Sequence, residues 1–99
     1  MEICKLIEAF QSLDDIEMSK EILLKNFGTT NGFYAYDAHD DEFLIECNNQ
    51  LIVIDSTLRL TYFSHGVKVV SDYHARTVGE LLSMLLACGM IEIVANFKP

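Results

Sequence analysis

A chain of 99 residues, 51% hydrophobic, 22% charged and with a single proline, has the means to bury one core. That composition excludes a disordered or collagen-like segment. Its formal charge of −8 and isoelectric point near 4.6 disfavour nucleic-acid phosphates and anionic membranes, which are bound through Lys and Arg. All of that charge lies in residues 1–50, which hold eleven acids and three bases, whereas residues 51–99 hold four of each.

In chain order, residues 2–12 read as a helix with Ile3, Leu6, Ile7 and Phe10 on one stripe. A second helix is expected from Asp14, where Asp14 and Glu17 have the spacing of a capping box. Ile16, Leu23 and Phe27 share a face of it and Gly28 stops it. After the turn at residues 29–32 the period changes to two. Strands are expected over 33–37, 43–47, 51–54, 58–63 and 67–70. They are separated by a polar loop at 38–41, Asn48-Asn49, a turn at 55–57 and a turn at 64–66. Residues 51–54 are apolar on both faces, which places them centrally in a sheet. Thr77 and Glu80 then mark the start of a largely buried C-terminal helix that Gly89 ends. Residues 91–95 read as a last strand. The fold class expected is therefore α+β in a single domain, 1–99. An antiparallel meander of about five strands would be layered with two N-terminal helices and one buried C-terminal helix.

Few groups suggest chemistry. The loop from Asp37 to Glu42 concentrates Asp37, His39, Asp40, Asp41 and Glu42, but it lacks the glycine and ligand spacing of a calcium loop, so no metal is expected. His39 lies in a hairpin loop, His65 in a turn and His74 in a loop before the last helix, and nothing in the sequence joins two of them into an acid–base pair. Cys4, Cys47 and Cys88 are odd in number, widely spaced and set in apolar runs, which fits a reducing compartment. Residues 1–5 lack the pattern of a secretory leader, and the apolar run over 81–90 is too short to span a bilayer. A cytoplasmic location is expected. No catalytic residue and no cofactor is assigned, and the chain is read as a non-enzyme.

The reading that remains is a small acidic protein that binds another protein. Asp37, Asp40, Asp41, Glu42 and Glu46 are the expected electrostatic contacts, with Tyr34 and Tyr36 as anchors. A basic partner, such as a toxin or another nucleic-acid-processing enzyme, must offer Lys and Arg to phosphates, and a carboxylate array competes for those groups. Immunity proteins, antitoxins and phage anti-defence inhibitors have this general character. The alternative is an adaptor acting through a homodimer, with residues 91–97 pairing across a two-fold axis.

Overall fold

Two-residue turns set the register of the sheet. Asn48 and Asn49 both take positive φ, 51° and 65°, so Cys47 pairs directly with Gln50 across a tight hairpin. His65 and Gly66, at φ 51° and 79°, do the same between Ser64 and Val67. Asp55 holds the intervening turn. Its carboxylate accepts from the backbone N–H of Thr57 (2.9 Å) and Arg59 (3.1 Å), which carries Leu58 at φ 65°.

The computed structural model describes residues 13–30 and 32–99, and these belong to two compact units. Ser19–His74 holds α1 (Lys20–Phe27) and five strands, β1 (Tyr34–Asp37), β2 (Glu42–Cys47), β3 (Gln50–Ile54), β4 (Arg59–Ser64) and β5 (Val67–His74). The strands are antiparallel neighbours in sequence order, so the chain is α+β with a five-strand meander sheet. One face of the sheet is the core. Phe43, Ile45, Ile52, Ile54 and Leu60 are each at most 3% exposed, and α1 adds Leu23 and Phe27. The Phe27 ring meets Tyr34 edge-on, with centroids 5.3 Å apart.

The other unit comprises Met1–Met18 and Ala75–Pro99, described from residue 13 onward. Here the segment around Glu17 pairs with Thr77. Met18 N–H donates to the Arg76 carbonyl (2.8 Å) and Val78 N–H to the Ile16 carbonyl (2.9 Å). Helix α2 (Val78–Ala87) follows, capped by Thr77, whose hydroxyl accepts from Glu80 N–H at 3.1 Å. The Glu80 carboxylate reaches one residue beyond the cap, to Arg76 N–H at 2.8 Å. Gly89, at φ 80°, closes the helix while Met90 N–H donates back to the Leu85 carbonyl.

The described helices differ from the expectation in two respects. The first expected helix, 2–12, lies outside the described residues. The second begins at Lys20 rather than Asp14. Residues 16–18 give their backbone groups to the segment at 76–78, and Ser19 is the cap, its hydroxyl accepting from Ile22 N–H. The C-terminal helix expected from Val78 is not the last element. Residues Ile91–Ala95, expected as a strand, form helix α3. Alternation of Ile91 and Ile93 suggested a strand, but Met90, Ile93 and Val94 are the buried residues, at the helical spacing of three and four, while Ile91 is exposed.

The inner face carries the stability of the sheet. Ile52→Ala removes a fully buried side chain and is expected to cost about 2–5 kcal/mol, whereas Ser83→Ala on the exposed side of α2 changes stability by under about 0.5 kcal/mol. Urea unfolding midpoints check both.

Candidate protein-binding surface

Because strand residues alternate between faces, fixing the inner face also fixes the outer one. Outward-pointing residues form three cross-strand rows. At one end run Asp37, Glu42, Arg59 and His74, with Asp55, just past the end of β3, between Glu42 and Arg59. The middle row is Ala35, Leu44, Val53 and Thr61. The third is Glu46, Leu51, Phe63 and Lys68. None of these outward residues is buried.

Four of the expected contact residues lie on or beside this face. Asp37 and Glu42 are direct cross-strand partners, two like charges side by side. Asp40 is exposed in the adjoining loop, where the Asp37 carboxylate accepts from the N–H groups of His39 (2.9 Å) and Asp40 (3.4 Å). Glu46 is exposed two positions along each strand from the middle row. Among the described residues, Asp40, Glu42 and Glu46 have no cationic partner.

The other three turn away. Tyr34 and Tyr36 pair with Ile45 and Phe43 and so point to the inner face, where both are half-buried. The Tyr36 ring lies 4.6 Å from Phe43. Asp41, at φ 54°, folds back over this side. Its carboxylate accepts from the Tyr36 hydroxyl at 2.5 Å and pairs with Lys20 of α1 at 2.9 Å. The hydrogen bond from Tyr36, then that from Lys20, holds the Asp41 carboxyl below its ordinary range. The same carboxylate raises the Lys20 ammonium, and both its hydrogen bond and desolvation raise the Tyr36 phenol.

Residues not singled out in the sequence complete the surface. Leu44, Leu51, Val53 and Phe63 make its middle half-exposed and apolar. A shallow groove of about 260 Å³ runs along it beside the turns, lined by Glu46, Asn49, Leu51, Phe63, His65 and Gly66. The doubly apolar run at 51–54 was the available signal. Burial in the core accounts for Ile52 and Ile54 on its inner side but not for Leu51 and Val53 on the outer one.

Elsewhere the reactive side chains are dispersed. His39 is in the loop between β1 and β2, His65 in the turn between β4 and β5, and His74 at the end of β5. Cys47 is a free thiol and is half-buried, as is Cys88, and Cys4 lies outside the described residues. Among the described residues no group of three or more His, Cys, Asp or Glu is placed to hold a metal ion, and no helix is long and apolar enough to cross a membrane. No protein-family model, no curated protein and no solved structure matches the chain.

The Lys20–Asp41–Tyr36 cluster predicts a pH signature. A carboxyl lowered in the folded state contributes stability above its unfolded pKa, and that contribution is lost as pH falls through the folded value. The raised Lys20 and Tyr36 contribute below their unfolded values and lose that contribution as pH rises through the folded ones. Asp41→Asn is therefore expected to flatten the fall in melting temperature on both the acid and the alkaline side. Melting curves across pH, compared with the unaltered chain, check it.

Proposed function

We propose that the protein is a non-enzymatic binding protein that engages a basic partner through the acidic half of the outer sheet face. The observation that carries this reading is the Asp37–Glu42 cross-strand pair, with Asp40 beside it. Like charges placed directly opposite destabilise a sheet, and Lys20 neutralises Asp41 rather than this pair. A folded chain that keeps such a pair half-exposed presents a local negative field, which speeds encounter with a cationic surface.

The partner class that fits is a toxin or another nucleic-acid-processing enzyme, whose phosphate-binding surface is rich in Lys and Arg. Blocking that surface makes the protein an inhibitor of the immunity or antitoxin type, or of the kind phages use against host defence. Asp37, Asp40, Glu42 and Glu46 are the electrostatic contacts. Leu44, Leu51, Val53 and Phe63 supply apolar area next to them. Tyr34 and Tyr36 act from behind, fixing β1 against α1 and β2. The free thiol at Cys47 supports a reducing compartment such as the cytoplasm.

The expected result is that the immobilised protein retains a basic protein from native lysate at low salt and releases it as salt rises. One equivalent of the chain then suppresses nucleic-acid binding or cleavage by the purified partner. Asp40→Lys with Glu42→Lys is expected to slow association by about tenfold or more. Retention indifferent to salt and to both reversals would refute the reading.

A further inference from the structure

The acids of the outer face gather mainly on its β1–β2 side, and the acid on β5, Asp72, is paired with Arg59. In the row that begins with Glu46, the series across β2 to β5 is Glu46, Leu51, Phe63, Lys68. In the row at the other end, Glu42 lies on β2 and His74 on β5. Each row thus runs from an acid on β2 to a basic residue on β5. Between them, Leu51 and Phe63 in one row and Leu44, Val53 and Thr61 in the middle row form an apolar floor that is half-exposed. A sheet face left to water ordinarily alternates with charged or strongly polar residues, and from β1 to β4 the middle row carries no charge; only on β5, where the pairing shifts register opposite Thr61, do Ser71 and Asp72 follow.

This pattern is complementary to itself about one axis. A two-fold axis parallel to the strands, lying above the face between β3 and β4, sets β2 of one copy over β5 of the other and β3 over β4. Glu46 then faces the other copy's Lys68 at both ends of its row. Glu42 faces the other copy's His74, and Leu51 faces the other copy's Phe63. An axis across the strands instead stacks β2 on β2, bringing acids over acids, so charge selects the first arrangement. Aligned packing of two sheets about 10 Å apart is a common way for such faces to bury each other. Arg59 takes no part, because its guanidinium is drawn to Asp72 at 3.7 Å on its own chain.

Edge pairing is the other route to a dimer of this sheet. β5 is the long edge strand, with Val67 and Val69 exposed. Its pairing with β4 shifts register twice, and Asp72 sits at φ 62°. Bulges of this kind twist an edge away from a straight partner. The second copy is therefore placed on the face, not the edge.

We propose that the outer face of the β1–β5 sheet is a two-fold interface with a second copy of this chain, held by Glu46–Lys68 pairs around an apolar centre. The inference stands apart from the cationic partner above. The two compete for Glu42 and Glu46, yet each has its own readout.

Sedimentation equilibrium of the full chain is expected to give a reversible dimer. Glu46→Lys alone and Lys68→Glu alone place like charges opposite each other twice per dimer and weaken it by roughly tenfold or more. The double variant Glu46→Lys/Lys68→Glu restores the dimer. Both positions are exposed, and circular dichroism verifies that each variant folds. A second measurement uses the unaltered chain. Zero-length carbodiimide cross-linking of mixed light and isotope-labelled protein is expected to join Glu46 of one copy to Lys68 of another. Within one copy these residues stand three strands apart, roughly 14 Å, beyond a zero-length link. A chain that stays monomeric at every concentration overturns the proposal. So does a dimer that neither single reversal weakens, a double variant no better than the singles, or cross-linked dimers lacking the Glu46–Lys68 link. Loss of the dimer with salt-dependent partner capture intact would leave the cationic-partner reading standing, and the converse would leave this one.

Discussion

Cross-strand register is the constraint on which the rest of this protein's surface depends. Two hairpins with two-residue turns, at Asn48-Asn49 and His65-Gly66, lock Cys47 to Gln50 and Ser64 to Val67. A slip of one residue at the Asn48-Asn49 turn would send Ile45 or Ile52 to water and bring Glu46 or Leu51 into the core. The side chains on the inner face oppose that slip through their burial, so the hydrophobic core and the arrangement of charge on the outer face are determined together. The acids gather at one side of the outer face because of where Phe43 and Ile45 must go.

The carboxylates of the β1–β2 hairpin divide into two kinds. Asp41 belongs to the fold. It lies between a phenol and an ammonium, and it ties α1 to the hairpin through Lys20. Asp37 is partly occupied in closing the loop beside it. Asp40, Glu42 and Glu46 gain no such ion-pair contact among the described residues, and their proximity adds repulsion. Their sequence neighbours alone do not distinguish these roles. What separates them is the positive φ at Asp41, which turns one carboxylate back toward the helix while its neighbours face outward.

The meander was legible because its signals are local. Asparagine pairs and His-Gly specify tight turns, and alternation specifies the face, so five strands could be placed from residue types alone. The cap at Thr77 was equally plain, its oxygen and the Glu80 carboxylate lying within four residues of each other. What escaped was decided by contacts distant in sequence. Asp14 and Glu17 have capping spacing, but residues 16–18 are drawn into extended pairing with 76–78, and the helix waits for Ser19. Residues 91–95 satisfy a strand pattern and a short helix pattern at once, and burial of Met90, Ile93 and Val94 selects the helix. Tyr34 and Tyr36 share one side of a strand in either case. Only the register with β2 reveals that it is the inner side.

Net charge and local charge act in opposite directions on any association of this chain. Within residues 19–74 there are eight acids and four bases, so two copies approaching in dilute salt repel as wholes. That repulsion acts over a distance set by the Debye length, about 30 Å at 0.01 M salt and about 8 Å at physiological ionic strength. Contacts between Glu46 and Lys68 operate at a few ångströms and are screened far less once water is excluded by the apolar floor. Physiological salt therefore removes the long-range penalty on self-association while leaving the short-range complementarity in place. The same salt weakens the attraction of a distant cationic partner. Ionic strength and a partner's charge density would therefore set the balance between the two proposed occupants, because both draw on one array of side chains whose positions the register of the sheet fixes.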